Sequence, residues 1–137
     1  ASGAPVDPEA DASVAREISG RDNPVVMFAL EWCEFCWTLR RLFAACGIAF
    51  RSVDLDSVQY QADNRGGRIR EALRARTGVA TIPQVFVGGE FVGGCTDVIA
   101  ELRAGRLQQR LAAAGASFTV PAGFDPARCL PNWLHAR

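Results

Sequence analysis

Cys33 and Cys36 stand two residues apart in Trp32-Cys33-Glu34-Phe35-Cys36. A C-x-x-C pair is either a redox-active dithiol or half of a structural zinc site, and its surroundings decide between them. A zinc ribbon needs a second pair at suitable spacing, and Cys46, Cys95 and Cys129 form no second C-x-x-C. Thiol–disulfide exchange asks for an exposed thiolate that attacks and a second thiol within reach that resolves. A thiol at a helix start meets unpaired backbone N–H groups and the positive end of the helix dipole, both of which favour the thiolate. Cys33 at such a start would be the attacking thiol. Cys36, past the first turn, would be the less exposed resolving partner.

The elements around the pair supply that helix start. Val25 to Leu30 is a continuous apolar run rich in β-formers, as expected of a strand buried on both faces of a parallel or mixed sheet. Phe35, Leu39, Leu42, Phe43 and Cys46 then recur at helical spacing, and Gly47 follows as a C-cap. Residues 48–55 form a second strand candidate, and residues 68–76 a second helix with Ile69 and Leu73 on one face. Gln84 to Val87 and Phe91-Val92 flank Gly88-Gly89, a hairpin signature. Helices over 97–103 and 106–114, separated by Gly105, complete a β-α-β-α-β-β-α order. The fold class is α/β, in one domain.

Two further segments could serve a ligand. Thr81-Ile82-Pro83 directly precedes the Gln84 strand. A proline there is compatible with a cis bond that presents the preceding backbone to a ligand, although a trans proline at a strand edge is the commoner arrangement. Gly93-Gly94-Cys95-Thr96-Asp97 opens the next helix, where glycines allow close backbone approach and the helix start can hold a carboxylate. Asp97 could hold an ammonium. As a plain helix start, the segment reads with Thr96 as N-cap.

Composition narrows the rest. The 137 residues carry 15 basic side chains, all of them Arg, against 15 acidic ones. This balance lacks the basic footprint of a nucleic-acid binder. No apolar run approaches the roughly 18 residues of a membrane span. The first twenty residues lack the apolar core of a secretory signal, and five unevenly spaced cysteines do not suit a secreted disulfide framework. The expectation is a protein that is not secreted and engages neither nucleic acid nor membrane.

From about Asp11 to Ala116 the chain resembles the glutaredoxin family of the thioredoxin-like superfamily. The resemblance rests on Trp32-Cys33-Glu34-Phe35-Cys36, Thr77-Gly78, Thr81-Ile82-Pro83-Gln84-Val85-Phe86-Val87, Gly93-Gly94-Cys95-Thr96-Asp97 and a closing helix. It implies a four-stranded mixed sheet with helices on both faces, and an oxidoreductase that uses glutathione to reduce glutathione mixed disulfides and protein disulfides. Cys33 would form the mixed disulfide with glutathione, and Cys36 would resolve a protein disulfide. Pro83 would be cis, with Ile82 presenting backbone to the cysteinyl part of glutathione. Thr96 and Asp97 would hold the γ-glutamyl end, beside Cys95, and Phe35 matches the aromatic common before the second cysteine. The partners implied are glutathione and glutathionylated or disulfide-bonded proteins. A reducing compartment, cytoplasmic or organellar, suits that chemistry.

The chain also departs from the family pattern. Glu34 replaces the common proline after the first cysteine, Leu30 an often basic position three before it, and Ala80 another basic position before the Thr-x-Pro segment. Arg70 is then the candidate cation for the glycyl carboxylate of glutathione. Glu31 and Glu34 flank Cys33 and would repel its thiolate, so weaker reductase activity is expected. Family members without that proline include some that hold a [2Fe–2S] cluster between two subunits, so an alternative is a dimeric cluster carrier or sensor using Cys33 and glutathione, whereas the redox enzyme needs only a monomer. Cys46, on the apolar helix face, is expected in the core, and Cys95 is either a packed thiol or one exposed beside the site, where it could form a regulatory disulfide. Residues 1–12 are expected to be a mobile leader, 13–116 the glutaredoxin-like domain, and 117–137 an extension. Phe118, Phe124, Leu130, Trp133 and Leu134 make that extension apolar enough to pack on the domain, with Cys129 and His135 as bystanders.

Overall fold

The computed structural model describes residues 6–20 and 22–131. Strand β1 (Val25–Ala29) is buried at every position. It pairs in parallel with β2 (Arg51–Asp54) and antiparallel with β3 (Gln84–Val87), while β3 pairs antiparallel with β4 (Glu90–Gly93). The sheet order is β2-β1-β3-β4. Burial on both faces explains why β1 is apolar throughout and β3 is apolar after Gln84. Val25, Met27, Ala29, Val85 and Val87 enter one core, whereas Val26, Phe28 and Phe86 enter the other. This is the mixed sheet expected from the sequence.

The first core is covered by α2 (Glu34–Ala45), α4 (Cys95–Ala104) and α5 (Arg106–Ala113), through residues such as Leu39, Phe43, Val98 and Leu111. The second lies under α1 (Pro8–Ile18) and α3 (Arg65–Thr77), through Val14, Ile69 and Leu73. The β3–β4 hairpin turns through Gly88 and Gly89 at φ 59° and 84°, which suits glycine at both central positions.

Helix α1 begins at Pro8, inside the segment expected to be a mobile leader. Asp7 caps it by accepting from Glu9 N–H at 3.3 Å, Pro8 occupies the first turn, and Ala10 is buried in the second core. Residues 8–12, expected to be mobile, are therefore helical. Local capping chemistry starts this helix before its apolar face begins. The segment before α3 turns through Asp63 and Asn64 at φ 57° and 54°, which lets α3 begin at Arg65.

The described part of the C-terminal extension lies against α2 and α4. Phe118, Val120, Phe124 and Leu130 pack on the first core, and Pro126 and Cys129 are buried within a 3-10 turn. Thr119 N–H donates to Cys46 O at 2.7 Å, while Arg41 donates to Cys129 O from Nε at 3.2 Å and Nη2 at 2.7 Å. Trp133, Leu134 and His135 lie outside the described residues. Replacing Arg41 with Met keeps most of the aliphatic stem but removes both donors from a buried carbonyl, so the loss should be about 1–3 kcal/mol. Urea unfolding measures it. An unchanged midpoint would show that apolar packing alone holds the extension.

Candidate functional site

One end of the sheet gathers the functional segments. Strand β1 runs out at Ala29, four residues before Cys33. Gln84 pairs with Phe28, so Pro83 enters β3 at that same end, and Gly93 pairs with Val85, so β4 leaves there too. The C-x-x-C, the proline loop and the Gly-Gly-Cys-Thr-Asp segment thus converge because of strand register.

Cys33 is the N-cap of α2, with extended backbone at φ −113° and ψ 118°. Its sulfur accepts from the Cys36 N–H at 3.4 Å, the role an Asp or Ser oxygen usually fills. Negative charge formed on this sulfur therefore meets a donor already aimed at it. Cys33 is partly exposed, whereas Cys36, Cys46, Cys95 and Cys129 are buried. Burial, with a smaller contribution from the hydrogen bond to Cys33, pushes the Cys36 thiol up to about 12, against a lesser opposing pull from Arg40. Burial likewise pushes Cys95 up to about 11 and raises Cys46 and Cys129. Four of the five thiols are thus held protonated at neutral pH.

The segment before Cys33 is fastened from three sides. Glu31 N–H donates to Asp56 Oδ1 at 2.8 Å, Glu31 O accepts from Trp37 Nε1 at 2.7 Å, and Leu30 O accepts from Arg40 Nη2 at 3.4 Å. Arg40 also pairs with Asp54 at 2.7 Å and lies over the Trp37 ring, 4.6 Å from its centroid. Trp32 is left 90% exposed beside the thiol, while Trp37 is partly engaged. Arg40 and Asp56 were not singled out from the sequence. An arginine seven residues after the first cysteine carries no periodic signal, and its partners come from other elements.

The proline loop and the glycine segment meet. The Ile82–Pro83 bond is cis, as the family resemblance implied and contrary to the commoner trans arrangement. A Cβ on Gly94 would lie 3.3 Å from Pro83 O, so the two segments approach closely. Helix α4 is capped differently from the sequence reading: it begins at Cys95 with Gly94 as N-cap, and Gly94 N–H donates to Asp97 Oδ2 at 2.9 Å. Thr96 therefore lies inside the first turn, exposed and free of capping duty, because Asp97 at the third helical position satisfies the orphan N–H instead. The Cys95 thiol is packed in the first core, the first of its two expected placements, so what Cys95 can offer a ligand is backbone. Phe35 and Ile82 are partly buried against that core. Arg70 is exposed on α3, and among the described residues it makes no hydrogen bond to the other candidates.

A thiol that caps a helix at the end of a mixed sheet, with a cis proline entering the sheet at the same end, defines a thioredoxin-like protein. Within that class the Glutaredoxin family model matches residues 25–92. Rice Glutaredoxin-C4, chloroplastic, is 36% identical over 105 residues, covering 77% of this chain and 74% of the relative. Rice Monothiol glutaredoxin-S10 is 35% identical over 99 residues, 72% of this chain, and this chain spans 57% of that relative's length. The crystal structure of a buckwheat glutaredoxin–glutathione complex superposes with a TM-score of 0.70 at 32% identity, over 79% of this chain and 92% of that one. The chain belongs to the glutaredoxin family.

Exposure and burial together set an order of thiol labelling. Iodoacetamide at pH 8 should modify Cys33 first, and peptide mass spectrometry should find Cys36 and Cys95 protected in the folded protein. Their folded values lie above the ordinary 9.0, so the stability they contribute is complete below 9.0 and drains as pH rises towards about 11 and 12. Thermal melts between pH 8 and 11 should fall accordingly. Labelling of Cys36 as fast as Cys33 would contradict the assignment.

Gly93 gives a second expectation. At φ 134°, its added Cβ would stand 2.4 Å from Asp97 Oδ2. Gly93→Ala should cost about 1–3 kcal/mol through backbone strain and displace the Asp97 carboxylate. Denaturant unfolding reads the first effect, and the Gly94 amide chemical shift reads the second.

Proposed function

We propose that this chain is a glutathione-dependent thiol–disulfide oxidoreductase acting on glutathionylated and disulfide-bonded proteins. The observation that carries this reading is Cys33 capping α2 with its sulfur against the Cys36 N–H, on the sheet end that also bears Pro83 and Asp97. The Cys33 thiolate attacks the glutathione sulfur of a mixed disulfide. A Cys33–glutathione disulfide forms, and the protein sulfur leaves as thiolate and takes up a proton. A second glutathione thiolate then attacks the bound glutathione sulfur, which releases oxidised glutathione and restores the Cys33 thiolate. On a protein disulfide, Cys33 first forms a mixed disulfide with one substrate sulfur. The other substrate sulfur leaves as thiolate in that step. Cys36 then attacks the Cys33 sulfur, and the substrate sulfur bonded to it departs with the proton Cys36 gives up. The Cys33–Cys36 disulfide forms, to be reduced by two glutathione molecules. Burial of Cys36 makes it a reluctant nucleophile, which favours regeneration by glutathione.

Ile82 backbone, Thr96 and Asp97, with the Cys95 backbone beside them, would seat glutathione. Asp97 Oδ2 already holds the Gly94 N–H, which orients the carboxylate and leaves its other oxygen for the γ-glutamyl ammonium. Phe35 would pack beside the cysteinyl part, and Arg70 would take the glycyl carboxylate. The reaction runs in a glutathione-rich reducing compartment, the cytosol or an organelle.

The [2Fe–2S] reading finds a limited fit. Among the described residues no group of three or more His, Cys, Asp or Glu could hold a metal, and Cys33 is the one cysteine not buried. One chain thus offers a single accessible thiolate, and a cluster would require two copies with a glutathione from each. Absorption after anaerobic incubation with iron, sulfide and glutathione tests it: no visible band supports the redox reading alone.

Cys33→Ser should abolish deglutathionylation of a glutathionylated peptide, because Ser supplies no thiolate at neutral pH. Cys36→Ser should keep that activity and lose reduction of protein disulfides. Asp97→Ala should raise the KM for the glutathionylated peptide about tenfold, with Arg70→Ala acting in the same direction more weakly. Equal loss from both cysteine variants would remove the division of roles, and unchanged KM in both ligand variants would place the glutathione site elsewhere.

A further inference from the structure

The second element of the site is held in place by a side chain that touches none of the reacting groups. Gln84 is 0% exposed, a polar residue in the first position of an otherwise apolar strand. Its Nε2 donates to Val79 O at 2.7 Å and to Thr81 O at 3.1 Å. Its Oε1 lies 3.2 Å from the Thr77 hydroxyl, which in turn accepts from Val79 N–H at 3.1 Å. One amide therefore gathers the last residue of α3 and two carbonyls of the loop leading to Pro83. The backbone of Gln84 is itself fixed by pairing with Phe28 in the central strand.

This network has a directional consequence. A trans peptide is planar, and its N–H points opposite to its C=O. Gln84 draws the Thr81 carbonyl inward, so the Ile82 N–H on the same peptide is turned outward, away from the core. Among the described residues the only cis bond is the next one, Ile82–Pro83, so this opposition holds at Thr81–Ile82. A backbone donor facing the site can pair only with a ligand acceptor whose position is fixed.

We propose that Gln84, braced by Thr77, is a positioning residue that aims the Ile82 N–H at the bound disulfide substrate and thereby sets its affinity. This rests on the glutathione reading above and adds the residues that give that reading its geometry. Without the Gln84 amide the Thr81 carbonyl has no inward donor, and the Thr81–Ile82 peptide is free to rotate. Substrate binding weakens, while the sulfur chemistry, which depends on the start of α2, does not change.

The test uses the full chain with a glutathionylated peptide. Gln84→Met, of similar volume, should raise KM about tenfold with kcat within about twofold, since a lost buried hydrogen bond of this kind is worth about that factor. Thr77→Val should raise KM about threefold, and Thr77→Ser, which restores the hydroxyl, should return it to the wild-type value. The rate of Cys33 alkylation by iodoacetamide, a reagent without a glutathione moiety, should stay at the wild-type value throughout. A lowered Tm with unchanged KM would reduce the network to a structural role and overturn the proposal. A parallel change in alkylation rate would overturn it too, by placing the effect at Cys33. Should Gln84→Met fail to fold, the Thr77→Val and Thr77→Ser pair decides alone. A wild-type protein that shows no saturable activity on the peptide would instead overturn the glutathione reading beneath it.

Discussion

Helix α2 starts at the end of a buried strand, and its first amide donors need acceptors. The sulfur of Cys33 answers one of them. That contact ties structure to reactivity, because the donor that completes the helix is the donor that stabilises charge on the sulfur. The surrounding arrangement keeps it in register. Strand β1 is anchored on both faces, the Leu30–Glu31 segment is fastened by Arg40, Trp37 and Asp56, and Cys36 is buried behind it. If α2 started a residue earlier or later, the thiol would lose its donor.

Arginine takes several structural roles in this chain without lysine. Arg40 bonds two elements and stacks on an indole at once, which suits a planar fork of donors better than a single ammonium. Arg41 grips one carbonyl of the extension with two N–H groups. Arg68 spans Asp7 and Asp63, joining α1 to the turn before α3. Each holds together elements distant in sequence.

Periodicity made the framework legible. The run Val25 to Leu30 signalled a strand buried on both faces, because burial forces apolar choice at every position, and Gly88-Gly89 between two short apolar runs signalled the β3–β4 hairpin. The spacing from Phe35 to Cys46 gave α2 and, with it, the placement of Cys33. Features set by single polar contacts were not legible. Helix α1 reached back to Pro8 through the Asp7 cap, before its apolar stripe began. The α4 start moved to Gly94 because Asp97 supplied the cap from within the helix. The cis bond at Pro83 came from family resemblance, since local sequence leaves both isomers open. Gln84 carried a visible signal, a polar residue heading an apolar strand, but its partners at Thr77, Val79 and Thr81 depend on how the loop folds back.

Packing four protonated thiols into one core also bears on how the molecule fails. While folded, Cys36, Cys46, Cys95 and Cys129 are screened from one another's chemistry by burial. Once the chain opens, all four return to ordinary thiol acidity in a flexible polymer that already carries an oxidisable partner at Cys33. Held open by heat, the chain can then be joined by air oxidation in wrong pairings, within one chain or between chains, that block the return of the sheet on cooling. Heating under oxidising conditions is therefore a one-way passage. The temperature at which activity disappears would follow the heating rate and the reductant present, and so report a lifetime rather than an equilibrium.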